Sequence, residues 1–352
     1  MKKLNGIIKN KVNFNNTPID WQQVHQVISE ANRIMLTTHE NPDGDGLGAE
    51  CGLFHHLKEL GKDVRIINYS PLPHDYQFLN GINIYECFDK DIHGEWIQNV
   101  DLVIVFDVGD FVRIRTIVDI INENELITMN IDHHPHPNDH PFTHNIVDLT
   151  AAATGCMVYD YLKMARTTPI LKESFEGIYT AVMTDTGCFR YSNTDQKCHK
   201  IAIECLSAGV ETHIIYRRVY ENSTRSRMQL MGELLTDLHY ELNGNLAWFT
   251  ITQDMMKNAK ASKTDVDGFS DLVRSIQGVE VSLMIFEQNE KSCRINFRSK
   301  GNYTVNDIAR TMGGGGHAFA AGAVVEGNLL YVMEKAVSAS IESIKQKMNG
   351  SL

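Results

Sequence analysis

The sequence has no long hydrophobic run. Of its 352 residues, 43% are hydrophobic and 22% are charged. The longest apolar stretches, such as residues 102–106, fall far short of the roughly 18 residues that a membrane-spanning helix requires. Residues 1–14 contain lysines but lack the apolar segment of about 7–15 residues and the cleavage site of a secretory signal. We therefore expect a globular, cytoplasmic protein without a membrane segment.

Cysteine is sparse and scattered. There are seven cysteines, none of them spaced as C-x-x-C, and the two nearest in sequence are Cys198 and Cys205. Disulfide frameworks use an even number of cysteines, and zinc ribbons use closely spaced pairs. The pattern argues against both classes and predicts reduced, mostly buried thiols.

The chain is also short of positive charge. Its 33 Lys and Arg against 44 Asp and Glu give a formal net charge of −11. Because binding of duplex DNA depends on neutralising many phosphates, we expect no partner of the long-duplex kind, whereas a short phosphorylated ligand is compatible with this composition. Residues 1–209 contain 17 basic and 28 acidic residues, and residues 210–352 contain 16 of each. This asymmetry indicates that the two segments have different tasks.

The hydrophobic pattern predicts an α/β fold with two domains, as expected for this length. Apolar strands alternate with segments of helical spacing, with strands at 33–38, 64–68, 101–106 and 126–131 and helices at 45–60, 113–121, 152–164, 171–184 and 196–208. Such alternation is typical of a parallel sheet covered by helices. We predict a parallel-sheet N-terminal catalytic domain at 20–209, a helical connector at 210–240 and a smaller α/β C-terminal substrate-binding domain at 241–350.

Polar ligand types follow the predicted strands directly. They are His39, Asp43 and Asp45 after the first strand, Asp107 after the third, Asp132, His133 and His134 at the end of the fourth, and Asp185 at the end of a helix. In parallel α/β sheets, ligands gather at the carboxyl ends of the strands. Taken singly, Asp43-Gly44-Asp45 is also compatible with an ordinary turn, and Asp107 is compatible with a residue that caps the turn after its strand. The neighbouring His136, His140 and His144 are interpreted as a surface cluster.

Together, these residues form a set of mixed nitrogen and oxygen ligands. The set comprises His39, Asp43, Asp45, Asp107, His133 and Asp185. It is large enough for two divalent ions that share one carboxylate, and without a thiolate it favours Mn²⁺ over a structural zinc. Two ions about 3.5–4 Å apart can hold a hydroxide nucleophile and stabilise both oxygens of an in-line phosphoryl displacement. The pattern therefore predicts phosphoester hydrolysis.

A run of four glycines stands out in the second half of the chain. Gly313, Gly314, Gly315 and Gly316 directly precede His317. Glycines permit close approach of the backbone and present N–H groups to an anion, and His317 and Arg298 would add donors. A flexible loop is the alternative interpretation, and a P-loop is excluded because no Gly-Lys-Ser/Thr follows. We favour phosphate binding.

The order of these motifs resembles the DHH phosphoesterase superfamily. Its four catalytic motifs look like His39-x-x-Pro42-Asp43-x-Asp45, Asp107, Asp132-His133-His134 and Asp185-Thr186-Gly187. Phe297-Arg298-Ser299 and the glycine run with His317 look like the substrate-binding elements of its DHH-associated C-terminal domain. The resemblance covers about residues 20–345. Bifunctional oligoribonucleases that are also pAp phosphatases, where pAp is 3′-phosphoadenosine 5′-phosphate, share this size and layout.

The resemblance implies a role for each matched residue. One metal ion would be held by His39, Asp43 and Asp107, and the other by Asp45, Asp107, His133 and Asp185. Asp132 would orient the neighbouring imidazole, and His134 would face the scissile phosphate. The expected catalytic residues are thus Asp107, Asp132 and His134. Substrate is expected at His134, Arg298, Ser299, Gly313, Gly314, Gly315, Gly316 and His317.

The resemblance also implies an activity. We expect a hydrolase with two Mn²⁺ ions, or Mg²⁺ or Co²⁺ in their place, that removes nucleotides 3′ to 5′ from very short RNA and dephosphorylates pAp. Short RNA, dinucleotides and pAp are its expected partners, and a homodimer is left open. Hydrolysis of cyclic dinucleotides such as c-di-AMP, or of linear pApA, is an alternative that the motifs do not separate. A non-catalytic nucleotide-binding module is a further alternative, which the complete ligand set disfavours.

Overall fold

The computed structural model describes residues 12–14, 19–81, 83–136 and 140–349. It divides into two compact units, residues 1–222 and residues 223–352. Among the residues that the structure describes, no helix combines the length and the hydrophobicity needed to cross a bilayer.

The first unit alternates strands and helices. Its strands are β1 (Val12–Phe14), β2 (Arg33–Thr38), β3 (Asp63–Asn68), β4 (Tyr85–Cys87), β5 (Leu102–Phe106), β6 (Thr128–Asp132) and β7 (His144–Val147). Its α-helices are α1 (Trp21–Glu30), α2 (Gly44–Glu59), α3 (Lys90–Ile97), α4 (Ile117–Glu123), α5 (Thr154–Ala165), α6 (Lys172–Asp185), α7 (Gln196–Ser207) and α8 (Thr212–Tyr220). Two 3-10 helices, His74–Leu79 and Phe111–Ile114, lie between them.

The seven strands form one parallel sheet. Their order is β1-β7-β6-β5-β2-β3-β4, and every neighbouring pair runs parallel. Strands β5 and β6 are buried along their whole length, because helices cover both faces of such a sheet. The predicted parallel α/β architecture is confirmed, and all carboxyl ends of the strands lie along one edge.

Helices α2 and α6 lie antiparallel and unusually close to each other. A Cβ atom added at Gly48 would lie 2.3 Å from the carbonyl oxygen of Gly177, and one added at Gly44 would lie 2.5 Å from the hydroxyl of Thr184. Glycine is therefore required at both positions of α2. Because Gly44 starts α2 and Thr184 lies in the last turn of α6, the N-terminal end of α2 meets the C-terminal end of α6.

The second unit is built on a mixed sheet. Its strands are β8 (His239–Glu241), β9 (Leu246–Ile251), β10 (Val281–Asn289), β11 (Ser292–Ser299), β12 (Gly315–His317) and β13 (Ala320–Glu326). Its α-helices are α9 (Arg225–Thr236), α10 (Gln253–Ala259), α11 (Phe269–Arg274), α12 (Asn306–Thr311) and α13 (Leu329–Asn349), with 3-10 helices at Leu242–Gly244 and Lys263–Val266. The strand order is β12-β13-β11-β10-β9-β8, in which β9 and β10 are parallel and the other pairs antiparallel.

The sequence pattern predicted the long elements better than the short ones. Strands β1, β4 and β7 have only three or four residues each, too few to show a period. Residues 210–240, predicted as one helical connector, contain two helices, α8 and α9, and the division between the units falls between them. Helix α9 starts anew because the hydroxyl of Thr224 accepts a hydrogen bond from the N–H of Arg227 at 2.9 Å. The predicted boundaries of the domains stay predictions.

The close packing of α2 on α6 leads to a stability prediction. We expect Gly48→Ala to lower the free energy of unfolding by about 1–3 kcal/mol, because the added methyl group overpacks the helix contact. Gly94→Ala in α3 is the matched control: its added methyl would lie 3.9 Å from the nearest atom, and replacing glycine by alanine inside a helix stabilises by roughly 0.5–1 kcal/mol. Urea denaturation measures both, and equal midpoints for the two variants would contradict the packing argument.

Candidate metal centre

The ends of three adjacent strands bring the predicted ligands together. Thr38, the last residue of β2, pairs with Phe106 of β5, and Phe106 pairs with Ile131 of β6. His39, Asp107 and Asp132 come next along these three strands. Because the strands are parallel neighbours, residues far apart in sequence meet at one edge of the sheet.

The ligand side chains form two groups that share Asp107. In the first group, Nε2 of His39 lies 3.8 Å from Oδ2 of Asp43 and 3.7 Å from Oδ2 of Asp107. In the second, Nε2 of His133 lies 3.5 Å from Oδ2 of Asp45 and 3.7 Å from Oδ2 of Asp185. The same nitrogen of His133 lies 3.5 Å from Oδ1 of Asp107. The two oxygens of Asp107 thus face different groups. Three sets of donor atoms lie close enough together to hold a metal ion: those of His39, Asp43 and Asp107, those of Asp45, His133 and Asp185, and those of Asp107, His133 and His134.

Both ligand imidazoles are oriented by backbone carbonyls. Nδ1 of His39 lies 2.7 Å from the carbonyl oxygen of Glu40, and Nδ1 of His133 lies 3.1 Å from that of Ala151. A proton on each Nδ1 would satisfy these contacts and direct Nε2 toward the carboxylates, as is usual for metal-ligating histidines. Nε2 of His133 is buried and has no hydrogen-bond partner among the described residues. A cation at this place would satisfy it, so the residues present fit a metal ion.

Asp45 is held by the N-terminus of α5. Its Oδ2 accepts a hydrogen bond from the N–H of Thr154 at 2.7 Å, and its Oδ1 accepts one from the N–H of Gly155 at 2.9 Å. The hydroxyl of Thr154 also donates to Oδ1 of Asp107 at 3.2 Å. Sequence reasoning missed both residues, although Thr-Gly at a predicted helix start was a signal. Together they fix two of the ligand carboxylates.

Asp132 lies behind the two groups of ligand side chains and is fully buried. Its Oδ2 accepts hydrogen bonds from the N–H groups of Val108 and Gly109, at 3.0 and 2.7 Å, and its Oδ1 accepts one from the N–H of His134 at 2.9 Å. Nδ1 of His134 lies 2.9 Å from Oδ1 of Asp132 and 3.2 Å from Oδ1 of Asp107. Asp132 therefore contacts the imidazole of His134.

Sequence reasoning was wrong about two of the three further histidines. His136 and His144 are buried rather than at the surface. Nε2 of His136 lies 2.7 Å from Oδ2 of Asp132, whereas His144 lies within β7. His140 is half-buried, with its ring 6.0 Å from that of Phe142. A run of histidines in one sequence does not reveal which of them face inward.

The charges of the cluster favour a cation. Burial raises the pKa of Asp45 well above its usual range, and the carboxylates of Asp107 and Asp185 raise it further. Burial, opposed by the charge of His133 and helped by those of Asp107 and Asp43, raises the pKa of Asp185 to about 6. Burial lowers the pKa of His133, but Asp107, Asp45 and Asp185 outweigh it and raise it to about 10. Without a metal, protons must therefore offset the excess of carboxylates.

The second unit contains the predicted substrate-binding residues. Arg298 lies on β11 with its Nε 3.3 Å from Oδ2 of Asp271. Ser299 is buried, and its carbonyl oxygen accepts a hydrogen bond from Arg274 at 3.0 Å. The backbones of Arg298 and His317 both pair with Ala320, which places them in one row of the sheet. The side chain of His317 lies outside what the structure describes.

Strand pairing explains part of the glycine run. A Cβ atom at Gly314 would lie 2.1 Å from the carbonyl oxygen of Gly322, and one at Gly316 would lie 2.6 Å from that of Ala320. Gly313 has a φ of 79°, which favours glycine, while a Cβ atom at Gly315 would meet no atom within 4 Å. The close approach of β12 to β13 therefore requires glycine at two of the four positions, whether or not a phosphate binds there.

Two family models match the chain and define its class. The DHH family N-terminal domain matches residues 33–184, and the DHHA1 domain matches residues 243–349. The first match begins with β2 and includes the motifs that supply His39, Asp107 and His133. Together the matches span well over half of the chain, so the protein contains a DHH domain followed by a DHHA1 domain.

Relatives with known names, and one solved structure, are similar to the chain over most of its length. The chain is 29% identical, over 90% of its length and 90% of the relative's, to the bifunctional oligoribonuclease and PAP phosphatase NrnA of Thermus thermophilus. It is 27% identical to the protein of the same name from Bacillus subtilis, over 85% of this chain and 91% of that one. An exopolyphosphatase-related protein from Bacteroides fragilis has the same fold, with a TM-score of 0.84 and 28% identity over 93% of this chain and 95% of that chain. The resemblance predicted from the motifs is confirmed.

Metal binding is expected to release protons. Because His133 has a pKa of about 10, it carries its proton at pH 7, and a cation that binds to Nε2 displaces that proton. Calorimetric titration with Mn²⁺ at pH 7, in two buffers of different ionisation enthalpy, should give different apparent enthalpies. Their difference, divided by the difference in ionisation enthalpy, should correspond to about one proton or more released per protein. As the pH falls through the pKa of Asp185, about 6, proton competition should weaken the affinity further.

The control for this titration is His133→Asn, which has no proton to lose at that position and should show a smaller dependence on the buffer. If the wild-type protein bound Mn²⁺ with the same apparent enthalpy in both buffers, His133 would not be a ligand.

Proposed function

We propose that this protein is a Mn²⁺-dependent phosphoesterase that removes nucleotides from very short RNA and dephosphorylates pAp. The observation that carries the proposal is the carboxylate of Asp107, whose two oxygens face two separate groups of ligands. The relatives named as oligoribonuclease and PAP phosphatase support the choice of substrates. A 3′ to 5′ direction of attack, a cytoplasmic location and a homodimer stay predictions from the sequence.

We assign two metal ions to the two groups. His39, Asp43 and Asp107 would hold one, and Asp45, Asp107, His133 and Asp185 would hold the other. Carboxylate and imidazole donors without thiolate suit Mn²⁺, with Mg²⁺ or Co²⁺ as other candidates. Bound ions at such a site supply Lewis-acid stabilisation of phosphoryl oxygens and an activated water.

His134 would act on the phosphate itself. Burial lowers the pKa of His134, but the hydrogen bonds to Asp107 and Asp132 outweigh it and raise it to about 11. Without bound metal ions the imidazole is therefore positively charged at neutral pH, and charge-assisted hydrogen bonds to phosphate oxygens are strong. Asp132 fixes its orientation through Nδ1. In this proposal Asp107, Asp132 and His134 are the residues that act during hydrolysis.

The DHHA1 domain would recognise the nucleotide. Arg298 is only partly buried, with 27% of its side chain exposed, so its guanidinium is accessible to a phosphate while Asp271 restrains it. Gly313 and Gly315, at which an added Cβ atom would meet no atom within 4 Å, are the members of the glycine run with the most room for a ligand. Ser299, Gly314, Gly316 and His317 complete the proposed substrate-binding set.

A comparison of substrates tests the proposal. We expect initial rates with Mn²⁺ to be highest on pAp and on a five-nucleotide RNA, and chelation to abolish both activities. The same assay includes pApA, c-di-AMP and pyrophosphate. Faster hydrolysis of c-di-AMP or pApA would favour the cyclic-dinucleotide alternative, and hydrolysis of none of the five would contradict the enzyme assignment and favour a binding module.

A further inference from the structure

His136 lies behind the metal centre and contacts none of its ligands in the two groups. Only 4% of its side chain is exposed, and its ring packs edge-on against Phe142, with centroids 5.8 Å apart. Its Nε2 lies 2.7 Å from Oδ2 of Asp132 and 3.1 Å from Nδ2 of Asn130. Because a carboxylate only accepts and the contact with Asp132 is the shorter one, we assign the proton to Nε2 as the donor to Asp132. A histidine this buried, in so short a contact with a carboxylate, has a defined orientation.

The carboxylate of Asp132 is held between two imidazoles. Nδ1 of His134 contacts Oδ1 at 2.9 Å, and Nε2 of His136 contacts Oδ2 at 2.7 Å. The terminal torsion of an aspartate side chain is soft, so a carboxylate bound on one oxygen alone can rotate. The N–H groups of Val108 and Gly109 also hold Oδ2, and His136 adds a side-chain donor to that oxygen. The contacts on both oxygens oppose rotation, and they join the three side chains into one chain that runs from His136 through Asp132 to His134.

We propose that His136 is a positioning residue of the hydrolytic reaction: through Asp132 it sets the orientation of the His134 imidazole. This inference rests on the proposed function, in which His134 binds the phosphate. His136 itself contacts neither the two groups of ligand side chains nor the part of His134 that would face the phosphate. By binding Oδ2 of Asp132, it restrains the position of Oδ1, which contacts Nδ1 of His134.

The surroundings of Asp132 distinguish positioning from general support of the fold. The N–H groups of Val108 and Gly109 also donate to Oδ2 of Asp132, and they remain when His136 is replaced. The loop that follows Asp107 therefore stays hydrogen-bonded to Asp132 in such a variant. A substitution of His136 removes one of the three donors to Oδ2, the one that comes from a side chain, so Asp132 should hold the His134 imidazole less firmly while metal binding is preserved.

Two substitutions separate the donor from the ring. His136→Leu fills the space against Phe142 without a donor, and we expect it to lower kcat by about 10–100-fold, the range for losing a residue that supports a metal site without binding the metal. His136→Gln carries an N–H at a similar reach to Nε2, and it should recover most of the turnover. Metal content by elemental analysis should equal that of the wild type in both variants.

A double-mutant cycle supplies the decisive readout. If His136 acts through His134, adding His136→Leu to the His134→Ala variant should cause no further loss of turnover, because the group that it positions is gone. His144→Leu, which removes a buried histidine of β7 outside this chain of contacts, is the matched control. Its effect on kcat, however large, should multiply with that of His134→Ala.

The outcomes separate this inference from the proposed function. Independent, multiplying effects of His136→Leu and His134→Ala, an unchanged kcat in His136→Leu, or a loss of bound metal would each overturn the positioning role. Failure of the wild-type protein to hydrolyse pAp or short RNA would instead overturn the proposed function. If His136→Leu does not fold, His136→Asn, which shifts the N–H away from Asp132, replaces it in the same cycle with the same expected results.

Discussion

The position of Asp107 is the constraint on which the rest of the metal centre depends. Its φ of 56° is in the left-handed region, which costs a residue other than glycine about 1–3 kcal/mol. The strand pairing holds this conformation, since the N–H of Asp107 binds the carbonyl oxygen of Ile131 at 3.2 Å. The turn at the end of β5 presents one carboxylate oxygen to His39 and the other to His133. Without it, the two groups of ligands would not share a residue.

The remaining ligands reach Asp107 through helix packing. The glycine contacts between α2 and α6 place Asp45, in the first turn of one helix, near Asp185, the last residue of the other. The N-terminus of α5 then binds Asp45 with two N–H groups, which satisfies a carboxylate whose burial would otherwise be costly. Stability and function are therefore linked here, because the same close helix contact that buries the core assembles the charged centre.

The sequence predicted the longer strands of the first unit and grouped most residues of the candidate site, because both depend on local sequence pattern. In a parallel sheet the residues that follow adjacent strands share an edge, so His39, Asp107 and Asp132 could be grouped without knowing the fold in detail. Thr154 and His136 could not, for different reasons. Thr154 binds a carboxylate 109 residues away in sequence. His136 lies only four residues from Asp132, but it belongs to a run of histidines whose sequence does not show which of them face inward. The glycine run shows the converse difficulty. One sequence cannot distinguish a glycine required by strand pairing, as at Gly314, from one that makes room for a ligand.

The claim that one carboxylate serves two metal ions is tested most directly by the metal content of Asp107→Asn. Asparagine tolerates the left-handed backbone, so this variant should keep its fold, and Asp110→Asn, at an exposed capping position three residues further on, is the matched control. Mn²⁺ bound per chain, measured after equilibrium dialysis, should be about two in the wild type and in the control, and one or none in Asp107→Asn. Two tightly bound ions in Asp107→Asn, or a single ion in the wild-type protein, would contradict the account.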